Sequence, residues 1–142
     1  MILGDLVKKG LLKKSTTTSE EIEGSLDTSK RFLERVKGNY EIGFHDVAFL
    51  LAYTSMFHAA RALLFKSGYK ERSHYALIAA AKHIYKRNVD LVAVLDTLDQ
   101  YRLIRHSIQY SGSLSTELDA SEAIKGRRKV PEVGERSHQV IL

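Results

Sequence analysis

Cysteine is absent from the 142-residue sequence, and proline occurs once, at Pro131. Without thiols there are no disulfides and no thiolate metal sites, and a reducing compartment is the default. No apolar run in the sequence reaches the length of about 18 residues that a membrane span needs. The lysines near the N-terminus follow the apolar residues, which is the wrong order for a signal peptide. We therefore predict a soluble, cytoplasmic protein.

Strand-like alternation is also missing, and a helical period runs through nearly the whole chain. The sequence therefore predicts an all-α, antiparallel up-and-down bundle of about five to six helices. We expect these helices at residues 2–14, 19–37, 43–67, 74–87, 91–110 and 115–125, with the third at the centre because it is apolar nearly all the way round. Helix starts are indicated at Thr18 with Glu21, at Ser73 and at Asp90. The bundle is expected to span 1–125, and 126–142 to form a tail.

The net charge of +5 is unevenly spread along the chain. Residues 66–87 hold six basic residues and one acid, with Tyr69, Tyr75 and Tyr85 among them. Basic residues interleaved with aromatics suit phosphate contacts and base stacking. The same pattern also describes a solvated helix face with extended lysine side chains. Both interpretations stay open for the basic side chains of the last helical turn of this segment, Lys82, Lys86 and Arg87.

The helix predicted at 91–110 carries arginines where a buried face is expected. With about 100° per residue, Arg105 falls inside the apolar arc of this helix and Arg102 lies at its edge. A lone buried charge is costly, so Arg105 extends to solvent, pairs with an acid, faces a partner chain or binds an anion. His106 and Tyr110 are four residues apart and therefore share another face of the same helix.

A second pair of candidate residues lies on the central helix, in "MFHAAR" at 56–61. His58 and Arg61 are three residues apart there, either as a core histidine with an outward arginine or as part of a binding site. The six histidines show no metal-ligand spacing, and the sequence has no phosphate-cradling glycine loop and no Gly-x-Ser-x-Gly elbow. We expect neither a metal nor a cofactor.

The stretch "AYTSMFHAARALLFKSGYKERSHYALI", residues 52–78, resembles the HEPN domain family (higher eukaryotes and prokaryotes nucleotide-binding). The helix at 91–110 resembles the motif helix of that family, in which an arginine and a polar residue precede a histidine. Arg105 matches the arginine and His106 the polar residue, whereas Tyr110 stands where the histidine would fall. The resemblance covers roughly residues 1–125.

What the resemblance implies is a homodimeric bundle that binds a nucleotide or RNA, with the motif helices near a shared cleft. It implies Arg105, His106 and Tyr110 as the motif residues, and a small nucleotidyltransferase as partner in a toxin–antitoxin-like pair. Because tyrosine is a poor general base at neutral pH, the motif predicts binding without efficient catalysis. The alternatives are an active metal-independent ribonuclease and a purely structural helical dimer. The further nucleotide- or RNA-binding candidates are Arg102, Lys82, Lys86, Arg87, His58 and Arg61.

Overall fold

The computed structural model describes residues 2–110 and 119–126. The elements in chain order are α1 (Ile2–Lys8), β1 (Leu12–Lys14), α2 (Ser19–Glu41), α3 (His45–Lys66), β2 (Tyr69–Glu71), α4 (His74–Ile84), α5 (Val89–Tyr110) and α6 (119–126). The prediction of an all-α bundle is confirmed, and the only sheet among these residues is the two-stranded pair of β1 and β2. Of the predicted tail, 126–142, only Gly126 is described, as the last residue of α6, and 127–142 lie outside the described residues.

The central helix is α3, as its apolar sequence predicts. Its core face includes Phe49, Met56 and Leu64, which are fully buried. It is long and apolar enough to resemble a membrane span by length and composition, but most of it is buried inside the protein. That packing is typical of the core helix of a soluble bundle. The cytoplasmic location stays a prediction.

The first helix is shorter than predicted. It ends at Lys8 rather than at residue 14, and Gly10 follows with a φ of 74°, in the left-handed region. Residues 12–14 instead form β1, which pairs antiparallel with β2 in the register Leu12 with Glu71. Three-residue strands are too short to show an alternating pattern in the sequence.

Other helix ends also differ from the predicted ones. Helix α2 continues to Glu41 rather than to 37, and α4 ends at Ile84 rather than at 87. Helix α5 begins at Val89, and the side chain of Asn88, not that of Asp90, accepts the hydrogen bond of its first turn from the Leu91 amide. The other two predicted helix starts are confirmed, as a capping box of Thr18 with Glu21 and a hydrogen bond from the Ala76 amide to Ser73.

The chain turns back along α3 after that helix ends. Glu71 of β2 contacts Arg61 of α3, and His74, the first residue of α4, contacts Tyr53, which lies eight residues before Arg61 on α3. Helix α5 then runs antiparallel to α4, since Lys82 pairs with Asp96 and Tyr75 contacts Arg102. This return places the start of α4 and the C-terminal half of α5 beside the middle of α3.

Candidate anion-binding site

One face of α3 provides the base of the candidate site. Tyr53, Phe57 and Arg61 are four residues apart and therefore lie on the same side of the helix. The ring of His74 stacks on Phe57, with a distance of 4.0 Å between ring centroids. Its Nδ1 atom is 2.7 Å from the hydroxyl of Tyr53. The first residue of α4 is thus fixed against α3 by stacking and by a hydrogen bond.

Arg105 of α5 reaches the same place from the opposite side. Its guanidinium carbon lies 5.8 Å from the centroid of the Tyr53 ring, and the residue is half-buried. No carboxylate pairs with Arg105 among the residues that the structure describes. A half-buried cation without an acid is a favourable place for a bound anion, because much of its hydration has already been lost.

Two further arginines flank Arg105, and each has an acidic partner. Arg61 places Nε 3.0 and 3.1 Å from the carboxylate oxygens of Glu71, whose side chain is only 5% exposed. Arg102 donates from Nε to Asp99 Oδ1 at 2.9 Å. The positive charge of Arg61 and Arg102 is therefore balanced locally, whereas that of Arg105 is not. We call Tyr53, His74 and Arg105, with Arg61 and Arg102 beside them, the anion site.

The protonation states in the anion site follow from burial and from the arginines. Burial first, and then the positive charges of Arg105, Arg61 and Arg102, lower the pKa of His74 to about 4. Burial raises the pKa of Tyr53 to about 12, although Arg105 acts in the opposite direction. At neutral pH the site therefore holds a neutral imidazole, a protonated phenol and the arginine charges. The site offers hydrogen-bond donors and positive charge. The negative charges beside it are those of Glu71 and Asp99, which pair with Arg61 and Arg102.

A model of the HEPN domain family matches residues 22–137 of the chain. The chain belongs to the HEPN domain family. The match includes every residue of the anion site, and membership supports a nucleotide- or RNA-related role. A comparison with curated proteins found no match.

The HEPN bundle brings together some of the residues proposed from the sequence and separates others. Arg61, Arg102 and Arg105 converge around His74. His106 lies exposed on α5, next to Arg105 in sequence. Tyr110 is the last residue of α5, and its side chain lies outside the described part of the structure.

The basic side chains at the end of α4 lie apart from the contacts of the anion site. Lys82 pairs with Asp96 of α5. Lys86 and Arg87 are exposed and have no ion pair within the described residues. Their role in RNA binding stays a prediction.

The tyrosines of the basic segment differ in how far they are accessible. Tyr85 is buried and donates a hydrogen bond to the carbonyl of Leu63 at 3.0 Å, so it is closed to an incoming base. Tyr69 is half-buried in β2. Tyr75, at the start of α4, is 50% exposed and is the tyrosine of this segment best placed for stacking.

His58 occupies a position inside the HEPN bundle rather than in the anion site. Its ring stacks on Phe32 at 6.2 Å, and its Nδ1 atom is buried without a hydrogen-bond partner in the described residues. Burial first, and then the charge of Arg61, lowers the pKa of His58. His58 is therefore packed against the aromatic ring of Phe32 in α2 and is not one of the residues of the anion site.

The sequence did not single out Tyr53 and His74. A signal was present, because Tyr53, Phe57 and Arg61 repeat every four residues, and His74 directly follows the Ser73 cap. What the sequence could not show is that β2 returns α4 to this face of α3. Among the described residues, no cluster of histidine and acidic side chains has the arrangement needed to hold a metal ion.

Proposed function

We propose that this HEPN protein binds the phosphate group of a nucleotide, free or within RNA, at the anion site. The observation that carries the proposal is the half-buried guanidinium of Arg105, which lies over Tyr53 and beside neutral His74 without an acidic partner among the described residues. A planar guanidinium can donate two parallel hydrogen bonds to a phosphate. An anion would also supply the counter-charge that Arg105 lacks among the described residues.

Neutral His74 supports the same proposal. Because the phenol of Tyr53 stays protonated, it can donate its hydrogen bond to Nδ1 of His74. The remaining ring nitrogen, Nε2, then carries the proton and is a donor for a phosphate oxygen. A phosphate would thus receive hydrogen bonds from α4 and from α5 together.

The experiment is a titration of wild type and Arg105 variants with adenosine 5′-monophosphate by calorimetry. Arg105→Ala is expected to lose binding by at least about tenfold, which corresponds to roughly 1.4 kcal/mol. Arg105→Lys is expected to recover only part of the affinity, because lysine lacks the planar fork. Arg35→Ala removes an exposed arginine of α2 outside the site and serves as the control.

Melting temperatures of the same samples separate binding from folding. If Arg105→Ala is destabilised but binds normally once folded, Arg105 has a structural role and the proposal is wrong. Normal binding without any loss of stability would also show that the proposal is wrong.

A second candidate function is a metal-independent ribonuclease, and the neutral imidazole of His74 favours it. This hypothesis requires the opposite tautomer, in which Nδ1 carries the proton and donates it to the Tyr53 hydroxyl oxygen, so that Nε2 is unprotonated and can act as the general base. On this hypothesis His74→Asn abolishes cleavage of a single-stranded RNA but retains binding, since asparagine keeps a polar atom near the position of Nδ1. An equal rate for both proteins argues against His74 as the base. The nucleotidyltransferase partner and the toxin–antitoxin context stay predictions.

A further inference from the structure

A surface groove of about 370 Å³ lies beside the anion site, between α1, α4 and α5. Tyr75 and Asp99 form the side nearest the arginines, because both contact Arg102. A volume of this size is at the small end of ligand pockets and suits one flat ring system better than a large ligand. The other residues that line the groove are Ile2, Ile78, Ala79, Lys82 and His83.

We propose that this groove is a nucleobase subsite, with Tyr75 as the stacking surface and Asp99 as a hydrogen-bond acceptor for an exocyclic amino group. The inference rests on the proposed function, because it places the base of the same nucleotide whose phosphate occupies the anion site.

The geometry around Tyr75 suits a stacked base. The Arg102 guanidinium carbon lies 5.8 Å from the ring centroid, so the ring has a cation near it while half of its surface stays open. Tyr75 directly follows His74, and Arg102 precedes Arg105 by about one helical turn. A phosphate at the anion site and a base on Tyr75 would therefore bind to neighbouring residues of α4 and to successive turns of α5.

The charge in the groove favours a base over a second phosphate. The carboxylate of Asp99 faces the groove and would repel an anion, and Lys82 is already paired with Asp96. Arg102 engages Oδ1 of Asp99, and Oδ2 has no hydrogen bond among the described residues. A carboxylate oxygen accepts from the amino groups of adenine and cytosine, whereas uracil has no such group. The groove is therefore selective for amino-bearing bases.

The test compares ribose 5-phosphate, adenosine 5′-monophosphate, cytidine 5′-monophosphate and uridine 5′-monophosphate on the intact chain by calorimetry. Ribose 5-phosphate reports the anion site alone. We expect both amino-bearing nucleotides to bind about tenfold more tightly than ribose 5-phosphate, as expected from one stacked base. The affinity for uridine 5′-monophosphate is expected to lie between that for ribose 5-phosphate and that for the amino-bearing nucleotides.

Two variants assign the effect to its residues. Tyr75→Ala should lower the affinity for adenosine 5′-monophosphate to that for ribose 5-phosphate, and Tyr75→Phe should retain it. Asp99→Asn should reduce the preference for the amino-bearing nucleotides over the uridine nucleotide. Asp99→Asn also leaves the charge of Arg102 unpaired, which can strengthen phosphate binding. The affinity of this variant for ribose 5-phosphate measures that effect separately.

The outcomes separate this inference from the proposed function. If no compound binds, the proposed function fails. If ribose 5-phosphate binds as tightly as the nucleotides, or if Tyr75→Ala changes nothing, the anion site stands and the base subsite is wrong. A single-stranded oligoadenylate is titrated in parallel. If it binds more tightly than adenosine 5′-monophosphate, the natural ligand is a nucleotide within RNA, and if it binds more weakly, the ligand is a free nucleotide.

Discussion

His74 is a half-buried base within a group of arginines, and this makes the stability of the protein depend on pH. Its pKa is about 4 in the folded protein, against an ordinary value of 6.5. Between these two values the unfolded chain binds more protons than the folded one, so stability falls as the pH falls. The contribution is complete above pH 6.5 and is lost progressively towards pH 4.

We therefore expect the unfolding free energy of wild type to fall more steeply between pH 6.5 and 4 than that of His74→Asn. Because His74 is half exposed, the difference is expected to reach about 1–2 kcal/mol rather than the value of the full shift. Urea unfolding at a series of pH values measures it. The carboxylates titrate in both proteins, and His58, whose pKa is also lowered, keeps part of the slope in the variant. Parallel curves would show that His74 does not titrate in this way.

Arg105 and His74 show how far single residues can be predicted from the sequence. Arg105 was predictable because a helical period of 3.6 places it among Leu98, Tyr101 and Ile108, where a charge is unexpected. The environment of His74 depends on side chains from α3 and α5, which are distant in the sequence. Periodicity identifies the face of a helix on which a residue lies, but not the element that this face contacts.

At the scale of elements, the ion pair between Arg61 and Glu71 joins α3 to the small sheet. Glu71 is buried and Arg61 is half-buried, so removing the acid leaves a poorly hydrated charge. The same β2 residue pairs with Leu12, whose side chain is in the core. The pair therefore helps to fix the return of the chain on which the position of His74 depends.

Glu71→Gln is expected to lower the unfolding free energy by about 2 kcal/mol, because it separates a partly buried pair. The matched control is Glu41→Gln, which breaks the exposed pair of Glu41 with Lys37 in α2 and should cost about 0.5 kcal/mol or less. Urea denaturation of both variants beside wild type provides the comparison. Equal effects would mean that the Arg61–Glu71 pair contributes no more than a surface pair.

Element boundaries were less predictable than the elements themselves. The capping box at Thr18 and the cap at Ser73 follow from side chains that lie next to the helix in sequence. The end of α1 does not, because residues 12–14 leave the helix to pair with β2, more than fifty positions away. Tertiary pairing here outweighs a weak local preference for helix.

At the scale of the whole molecule, α3 determines the arrangement of the bundle. Helix α2 packs along it, and reciprocal hydrogen bonds of 2.7 Å join the hydroxyls of Ser29 and Ser55 to each other's carbonyls. Gly126, at the end of α6, closes on the same helix, since an added Cβ would lie 3.2 Å from the methyl carbon of Met56. The apolar sequence of α3 predicted its central position, whereas the neighbours around it became clear only from the structure.

Homodimerisation remains a prediction for the whole molecule, and α5 is the element on which to test it. Leu103 follows Arg102 on α5 and is three residues before the exposed His106. It is a large apolar residue, yet it is 58% exposed. A two-fold contact through this surface would bring two copies of α5, and with them two anion sites, close together. Exposed leucine favours such an association because the contact removes its side chain from water.

We expect wild type to sediment as a dimer at micromolar concentration and Leu103→Glu to sediment as a monomer, because the new carboxylates would be buried in the contact. The control is Val89→Glu, which adds the same charge at another exposed position of α5, about 21 Å away along the helix. Circular dichroism confirms that both variants are folded. Wild type that stays monomeric at high micromolar concentration would exclude the dimer, and equal dissociation by both variants would place the contact elsewhere than around Leu103.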